Sequence, residues 1–389
     1  MYMNDSNEIV ARGVTNVIPN RLELEKLLNS GKKLNVYLGI DPTATRIHIG
    51  HAVALRKLQE FVDLGHNVTF LIGDFTALIG DTSDKDTERP VLSYKEIQEN
   101  FKTYKKQASK ILNFKKVKVV HNSTWLKKLK FSDIIKLCQN FSFGDFASRE
   151  LIKKRLQDKK RVGLHEALYP VMQGYDSFIL DTDIQIGGAD QTFNMQAGRS
   201  LLKTNKNKES FVLVTPYLTG TDGRKMSKSW GNAIWLSDTP DEIFGKVMSL
   251  NDNLIIEYFS LATSTSSQRI REIEKALKSG VNPLEIKKEL AVKMITELYN
   301  KRKAAAARAK FEKTFTKKEP EYSLEIKINP RSLAETIAPF TSLKSVSDAK
   351  RMISQGGVKI NGDTVSDLNY KIKKGDKIKI GKKIFGKLV

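Results

Sequence analysis

Two histidines separated by two residues give this chain its first chemical signature. His48 and His51 belong to the string HIGH at positions 48–51, which follows an apolar segment at 35–40 and a tight turn at 41–43. Helical spacing puts both imidazoles on one face, and Gly50 leaves the backbone open to a flat base. Because a helix N-terminus favours phosphate, we interpret this stretch as a nucleotide site. An ordinary strand-to-helix turn with solvated histidines is the alternative.

A second string of reactive side chains lies far downstream. Lys225 and Lys228 stand in KMSKS at positions 225–229, directly after the glycine-containing segment 220–223. Two lysines on a mobile loop can neutralise a leaving pyrophosphate. The two strings together indicate nucleotide chemistry.

A third group of polar side chains shares one face of an expected helix. Tyr169, Gln173 and Asp176 are spaced i, i+4 and i+7, although a solvent-facing stripe would look the same. Tyr37 and Asp81 lie on or after expected strands, and a glycine turn at 187–191 follows another. Phenols, carboxylates and amides converging on one cleft would form a pocket for a small polar zwitterion.

The elements that must position these groups alternate along the chain. Apolar runs at 35–40, 68–73, 117–121 and 184–186 indicate strands, and helical patterns separate them. This alternation predicts a doubly wound parallel sheet with ligands at the carboxyl ends of its strands. We also expect a helical lead-in over residues 5–30, with its apolar side formed by Leu22, Leu24, Leu27 and Leu28. A helix should run over residues 169–180 with Pro170 at its first position.

The chain resembles the class I aminoacyl-tRNA synthetases, and within them the tyrosyl-tRNA synthetases, over nearly its whole length. The resemblance is carried by YLGIDPTATRIHIGH, LIGDFTALIGDTSDK, YPVMQGYDS, IGGADQTFN and KMSKS, in the family's order and spacing. It implies an α/β class I synthetase fold with a Rossmann-like doubly wound parallel sheet, then an α-helical domain and a small α+β RNA-binding domain of the S4 type. It also implies ligation of tyrosine to tRNA(Tyr) through a tyrosyl-adenylate.

The resemblance implies a role for each matching residue. The substrate phenol would be held by Tyr37 and Asp176. The ammonium group would be bound by Asp81, Tyr169 and Gln173, with Gln191 close to the tyrosine. The ribose would meet Gly188 and Asp190. ATP contacts would come from Thr43, His48 and His51, in a pocket lined by Gly39, Asp41 and Gly50. Mobile basic groups would be supplied by Lys85, Arg89, Lys225 and Lys228.

Two positions depart from the family pattern. Thr82 stands where the family commonly has proline, and Asp84 where glycine is common. The KMSKS form indicates one of two bacterial subtypes. Phenylalanine should be rejected because pocket groups built to bond a hydroxyl would stay unpaired, a rule for which tyrosyl-tRNA synthetases are themselves the standard example. The sequence assigns no role to Trp230.

Composition supports a nucleic-acid partner. Lysine and arginine outnumber aspartate and glutamate by 66 to 44 in 389 residues, giving a net charge of +22. Such an excess favours a polyanion. With one cysteine, Cys138, and five histidines, we expect neither disulfides nor a protein-bound metal; Mg²⁺ would arrive with ATP. We expect a cytoplasmic protein without membrane contact, and the resemblance implies a homodimer.

Four parts are expected along the chain: a catalytic domain at 1–235, a helical domain at 236–312, a linker at 313–330 and an RNA-binding domain at 331–389. In the helical domain, one basic helix over 283–302 could contact RNA through Lys287, Lys288, Lys293, Lys301, Arg302 and Lys303, or simply face solvent.

The last part carries 13 basic and 5 acidic residues, a net charge of +8, which indicates phosphate binding. Its expected elements are a helix at 347–355 with exposed Lys350 and Arg351, a hairpin at Asn361-Gly362 and a final strand over 371–380.

Three other interpretations stay open. A tryptophanyl-tRNA synthetase would lack a use for a tyrosine and an aspartate aimed at a hydroxyl. A non-catalytic RNA-binding relative should have lost the lysines or the ammonium-binding carboxylate. A nucleotidyltransferase shares the HIGH-like helix start but lacks the tyrosine pocket and the C-terminal domain.

Overall fold

The computed structural model describes residues 6–43, 45–80, 93–227, 230–316, 322, 324–341, 343–381 and 384–389. The chain forms two compact units, Met1–Ala304 and Ala305–Val389. The first unit therefore combines the expected catalytic domain with most of the expected helical domain, and the finer four-part division stays a prediction. Within the described residues, no helix is both long and apolar enough to cross a membrane.

A six-stranded sheet forms the centre of the first unit. Its strands are β1 (Asn16–Ile18), β2 (Asn35–Ile40), β3 (Asn67–Ile72), β4 (Lys118–His121), β5 (Ile184–Gly188) and β6 (Phe211–Thr215). They lie in the order β1-β6-β5-β2-β3-β4, and all neighbours are parallel except β1 and β6. The predicted doubly wound sheet is confirmed, and its strand order reverses between β2 and β5. Ligands of such sheets bind beside this reversal.

Fifteen α-helices lie between Ser6 and Phe311 in the described part of the chain. They are α1 (Ser6–Ala11), α2 (Arg21–Leu28), α3 (Ile49–Asp63), α4 (Tyr94–Ala108), α5 (Ser123–Leu126), α6 (Phe131–Cys138), α7 (Phe143–Ser148), α8 (Glu150–Gln157), α9 (Leu164–Ile179), α10 (Thr192–Lys206), α11 (Pro240–Met248), α12 (Ile255–Ala262), α13 (Ser267–Lys278), α14 (Pro283–Leu298) and α15 (Lys301–Phe311). Short 3₁₀ turns cover Thr76–Leu78, Ala189–Gln191 and Asp252–Leu254, and a π-turn follows at Glu312–Thr316.

Local sequence explains the helix that begins at the HIGH string. Its apolar residues recur at helical spacing and are buried against the sheet: Ile49, Val53, Leu58, Phe61 and Val62. Gly65 ends the turn with a φ of 80°, a conformation that favours glycine. Burial of this stripe fixes the helix N-terminus next to the end of β2.

The expected helical lead-in is wrong in part. Residues 16–18 form β1, which pairs antiparallel with β6 through Val17 and Leu213. Of the four leucines, Leu24 and Leu28 are buried, whereas Leu22 is exposed. Val17 and Ile18 pair with β6 at the edge of the sheet. The spacing of nearby residues cannot indicate such a long-range pairing.

The expected start of the polar helix is also wrong. α9 begins at Leu164, so Pro170 lies inside it. Its first turn is fixed by Glu166, whose carboxylate accepts from the N–H of Gly163 at 2.7 Å and pairs with Arg155 at 2.7 Å. This buried ion pair stabilises the earlier turn, and proline costs the helix one backbone hydrogen bond.

The expected basic helix over 283–302 is two helices. The backbone of Tyr299 leaves helical geometry between α14 and α15, and its hydroxyl donates to the carbonyl of Asp238. Lys287 and Lys288 are buried, where Lys287 bonds the carbonyl of Leu250 at 2.5 Å. Lys287 therefore braces the helical core, and the buried Lys288 pairs with Glu285 one turn earlier on α14.

The second unit packs two helices on one face of a five-stranded sheet. Its elements are β7 (Leu324–Ile326), α16 (Leu333–Ile337), α17 (Val346–Ser354), β8 (Val358–Ile360), β9 (Asp363–Val365), β10 (Lys377–Ile380) and β11 (Ile384–Leu388), with strand order β7-β11-β10-β8-β9. The Asn361-Gly362 hairpin is confirmed, with both residues at positive φ. The final strand is wrong: β10 begins only at Lys377, and β11 follows it.

Candidate active site

A cavity of about 270 Å³ opens where the strand order reverses. Its walls come from the carboxyl ends of β2 and β5, from α9 and from the start of α3. Of the predicted site residues, those that line it are Tyr37, Gly39, Asp41, Thr43, His51, Tyr169, Gln173, Asp176, Asp190 and Gln191. The three polar residues of α9 thus share one face that points into the cavity.

Buried hydroxyl groups form one wall of the cavity. The hydroxyl of Tyr37 lies 2.8 Å from Ser177 Oγ, and Ser177 donates to Gln185 Oε1 at 3.0 Å. Burial, helped by the charge of Asp176, raises the pKa of Tyr37 well above its usual range. Tyr37 therefore stays a neutral hydroxyl that can hydrogen-bond a ligand.

Asp176 lies beside this hydroxyl chain and is fully buried. Trp125 Nε1 donates to its Oδ1 at 2.7 Å, and Asn122 Nδ2 donates to its Oδ2 at 3.1 Å. Burial raises the pKa of Asp176 to about 8, and the two donors oppose this rise. The result is a carboxyl group poised to change charge near neutral pH.

Hydrogen bonds connect Asp176 to the polar residues further along the cavity. Asn122 also donates to Thr76 Oγ1 at 3.1 Å, Thr76 donates to Asp41 Oδ1 at 2.8 Å, and Tyr169 donates to Asp41 Oδ2 at 2.9 Å. The phenol of Tyr169 and the carboxylate of Asp41 are therefore held in fixed positions. Such a network orients a ligand without needing to reorganise.

Close packing between two helices sets the position of Asp176. A Cβ on Gly174 of α9 would lie 3.1 Å from the backbone of Ala197 on α10, and one on Gly198 would lie 2.3 Å from Ser177 Oγ. These glycines let α9 and α10 approach closely, so that Ser177 and Asp176 are placed by backbone contacts.

The HIGH histidines are stacked at the entrance. Their ring centroids lie 3.7 Å apart, and the ring of Trp235 meets His48 edge-on at 5.7 Å. Burial, with a smaller contribution from His51, lowers the pKa of His48 to about 3, so it acts as a neutral imidazole at pH 7. A Cβ on Gly50 would lie 2.9 Å from His48 Nδ1 and 3.6 Å from Met226 Sδ. The helix start therefore accepts no side chain at this position.

The described part of the KMSKS segment is braced by one buried asparagine. Asn232 Oδ1 accepts from the N–H of Ser227 at 2.9 Å, and its Nδ2 donates to Asp222 at 2.8 Å. The ammonium of Lys225 lies 4.3 Å from the centroid of the Tyr217 ring. The guanidinium carbon of Arg224 lies 4.7 Å from the centroid of the Trp230 ring, which stays half exposed.

The glycine turn after β5 supplies a further carboxylate. Asp190 accepts from Gln191 Nε2 at 3.0 Å, and a Cβ on Gly188 would lie 2.7 Å from Asp190 Oδ1. Side chains here thus face the same cavity. Four predicted site residues lie outside the described residues, namely Asp81, Lys85, Arg89 and Lys228. Thr82 and Asp84, the two departures from the family pattern, lie outside them as well.

Several residues that build the cavity were not predicted from the sequence. Asn122 and Trp125 follow β4, and the rule that selected polar residues after other strands would have found them. Ser177 adjoins Asp176 on α9, but Gln185 lies within a buried strand and gives no local signal. Arg46 lines the entrance, 4.5 Å from the Trp235 ring centroid.

Two family models match most of this chain. A family model described as class I tRNA synthetases (W and Y) matches residues 29–316, and an S4 domain model matches residues 342–378. A tyrosine–tRNA ligase of Carboxydothermus hydrogenoformans is 42% identical, with 98% of this chain and 97% of that protein covered. A tyrosine–tRNA ligase of Thermotoga maritima is 38% identical, with 99% of this chain and 97% of that protein covered. The chain belongs to the tyrosine–tRNA ligase family of class I tRNA synthetases. The resemblance found in the sequence is thereby confirmed.

Solved structures of this family have the same fold. A tyrosyl-tRNA synthetase from Archaeoglobus fulgidus, complexed with L-tyrosine, aligns with a TM-score of 0.62 at 23% identity, covering 77% of this chain and 98% of that one. A C-terminally truncated mitochondrial enzyme from Aspergillus nidulans aligns with a TM-score of 0.67 at 20% identity, covering 80% and 94%. The predicted class I fold is confirmed.

Proposed function

We propose that this chain activates L-tyrosine with ATP and transfers the tyrosyl group to tRNA(Tyr). The observation that carries the proposal is that the hydroxyl-bearing, neutral Tyr37 and the buried carboxyl group of Asp176 line the same cavity. A phenol is the amino-acid side chain that combines an aromatic ring with a hydroxyl able both to donate to Asp176 and to accept a hydrogen bond. The indole of tryptophan could donate its N–H to Asp176 but has no acceptor to offer, so it could not make both of the hydrogen bonds open to a phenol.

The ammonium end of tyrosine would lie near Tyr169 and Gln173, which share the α9 face with Asp176. Asp41 supports this end because it holds the Tyr169 hydroxyl at 2.9 Å. We assign Asp81 to the ammonium group and Gln191 to the tyrosine by family resemblance. The spacing along α9 then matches a ligand with a phenol at one end and a zwitterion at the other.

ATP would lie across the start of α3, with its ribose near Gly188 and Asp190. By resemblance Gly50 belongs to the ATP pocket, although the ring of His48 covers the Cβ side of that residue. The tyrosine carboxylate oxygen bonds to the α-phosphorus while the bond from that phosphorus to the bridging oxygen of pyrophosphate breaks. No protein nucleophile is needed, so catalysis rests on positioning and charge stabilisation. Thr43, neutral His48 and His51 would donate to the phosphates at a helix N-terminus.

The remaining charge would be met by cations. Lys225 lies on the braced loop, and we assign Lys85, Arg89 and Lys228 to the same role by resemblance. Mg²⁺ would accompany ATP, bound to its phosphate oxygens, ligands of the type this ion prefers. In the second step a terminal ribose hydroxyl of tRNA attacks the acyl carbon, and AMP leaves with the electron pair of the broken bond.

A homodimer would bury apolar surface that the single chain exposes. Phe131 on α6 and Leu164 at the start of α9 are each 77% exposed, and α6 packs against α9. Phe143 on α7 adds a third exposed ring. Exposed apolar side chains of this size are typical of interaction surfaces. We place the enzyme in the cytoplasm and assign it to the bacterial subtype of the family that contains KMSKS.

Tyrosine-dependent ATP–pyrophosphate exchange without tRNA tests the first step. Exchange with tyrosine, followed by tyrosyl transfer to tRNA(Tyr), is the expected result. A chain that binds tRNA without exchange would instead be an RNA-binding relative that has lost activity.

A further inference from the structure

A buried carboxylate lies behind the wall of the cavity that carries Asp176. Asp74 follows β3 directly, and only 1% of its surface is exposed. It is not among the residues that line the cavity, so it can act on a ligand there only through other residues. Burying a carboxylate costs free energy unless hydrogen bonds compensate for the lost water. The partners of this carboxylate therefore indicate what it holds in place.

The partners of Asp74 lie where the chain leaves β4. Its Oδ1 accepts from the backbone N–H of Ser123 at 3.0 Å, and its Oδ2 accepts from Ser123 Oγ at 2.8 Å. Nδ1 of His121, the last residue of β4, lies 3.2 Å from the same Oδ2. Ser123 is the first residue of α5, and the first N–H groups of a helix have no partner inside it. The carboxylate therefore fixes where α5 begins and how it is oriented.

The start of α5 supplies both hydrogen-bond donors to Asp176. Asn122 Nδ2 donates to Asp176 Oδ2 at 3.1 Å, and Trp125 Nε1 donates to Asp176 Oδ1 at 2.7 Å. The amide of Asn122 is fixed in this direction, because its Oδ1 accepts from the N–H of Phe75 at 3.0 Å. Asn122 precedes Ser123 in the chain, and Trp125 lies two residues after it in the same short helix. The placement of Ser123 thus sets the direction of both donors.

We propose that Asp74 is a positioning residue for tyrosine recognition, because it holds the start of α5, and with it the two donors, against Asp176. The proposal rests on the proposed function, in which Asp176 accepts a hydrogen bond from the substrate phenol. Both donors stabilise the ionised carboxylate that makes this bond. Without their alignment a buried charge would have fewer partners, so tyrosine binding would weaken while ATP binding would not.

Asp74 also acts on Asp176 through its charge. Burial is the largest cause of the raised pKa of Asp176, and the negative charges of Asp41 and Asp74 add to it. Tyr37 and Asp41 face Asp176 from β2 and the turn after it, whereas Asp74 and, beside it, His121 come from the ends of β3 and β4. Removing the charge of Asp74 while keeping its shape therefore lowers the pKa of Asp176. A purely structural change would not move this pKa in the same direction.

The test measures binding of L-tyrosine to the full chain by equilibrium dialysis between roughly pH 6 and 9.5. Asp74→Asn keeps an oxygen that can accept from the N–H of Ser123 but removes the charge, whereas Asp74→Ala removes both. Glu297→Gln is the matched control. Glu297 also accepts from the N–H and the Oγ of one serine, Ser264, at 2.9 and 2.7 Å, and it is not among the residues that line the cavity. Thermal unfolding shows whether each variant folds.

We expect Asp74→Ala to bind tyrosine about tenfold more weakly on the plateau at high pH, with a KM for ATP within about twofold of the wild type. Asp74→Asn should restore the plateau affinity and move the midpoint of the pH dependence down by about half a unit. At pH 7 this variant should therefore bind tyrosine about two- to threefold more tightly than the wild type. The control should keep the wild-type plateau and midpoint.

Wild-type tyrosine affinity in Asp74→Ala would overturn the proposal, as would equal losses for tyrosine and ATP. A wild-type midpoint in Asp74→Asn, or an equal shift in the control, would overturn it as well. This second comparison decides the matter even if Asp74→Ala does not fold. ATP–pyrophosphate exchange by the wild-type chain with tyrosine tests the proposed function separately, because the proposal on Asp74 can fail while that activity is intact.

Discussion

The substitution Gly50→Ala tests whether the helix start is packed too closely around His48 to admit a side chain. In an open helix position, glycine to alanine stabilises by at most about 1 kcal/mol. At residue 50 the new Cβ would lie 2.9 Å from His48 Nδ1 and 3.0 Å from its Cε1. His48 cannot move easily, because it is stacked on His51 and meets Trp235 edge-on. Overpacking of this kind costs about 1–3 kcal/mol, so the net effect is destabilisation by about 1 kcal/mol.

Gly245→Ala is the matched control for this prediction. Gly245 lies inside α11, and a Cβ there would meet no atom within 4 Å. This variant should gain about 1 kcal/mol, so the two variants should differ by roughly 2 kcal/mol, or several degrees in Tm. Thermal unfolding measures the difference, and ATP–pyrophosphate exchange should give Gly50→Ala a KM for ATP at least about tenfold higher with the KM for tyrosine unchanged. Equal Tm values and an unaltered KM for ATP would refute the reasoning.

Four further changes probe the other assigned roles. Tyr37→Phe removes one hydrogen bond, worth about 0.5–1.5 kcal/mol, so the KM for tyrosine should rise about 2- to 10-fold; no rise would place the phenol elsewhere. Because ionised Asp176 would accept a hydrogen bond from the phenol and burial raises its pKa to about 8, tyrosine affinity should increase from pH 6.5 to about 9 and then level off, whereas a decrease on calorimetric titration would contradict this role. Lys228→Ala should slow adenylate formation in stopped-flow measurements far more than it weakens tyrosine binding, and equal losses would count against a transition-state role. Leu164→Asp should convert a dimer to a monomer in sedimentation, and an unchanged mass would exclude this surface as the interface.

The parts of the fold that local spacing determines were predictable from the sequence. The helix behind the HIGH string, the individual strands and the Asn361-Gly362 hairpin each depend on the spacing of residues close together in the sequence. The parallel arrangement followed from the alternation of strands and helices. The polar stripe of α9 was also found, because Tyr169, Gln173 and Asp176 repeat at helical spacing and all line the cavity.

The parts that long-range contacts determine were not predictable. β1 exists because Val17 pairs with Leu213, almost two hundred residues away. α9 begins before Pro170 because the Arg155–Glu166 ion pair fixes an earlier turn. Lys287 looks like a solvent-facing cation in the sequence, yet it bonds the carbonyl of Leu250 in the core. Gln185 enters the site from within a buried strand through Ser177.

The proposed enzyme recognises the phenol of tyrosine in its pocket and activates the carboxylate of the same amino acid. The most direct test is ATP–pyrophosphate exchange measured with each of the twenty amino acids in turn, without tRNA. We expect exchange with tyrosine alone, because a phenol hydroxyl can both donate to Asp176 and accept a hydrogen bond, whereas the phenylalanine ring can do neither and the indole N–H can only donate. Exchange with tryptophan would contradict the roles of these two residues, and no exchange with any amino acid would contradict the proposed enzymatic activity.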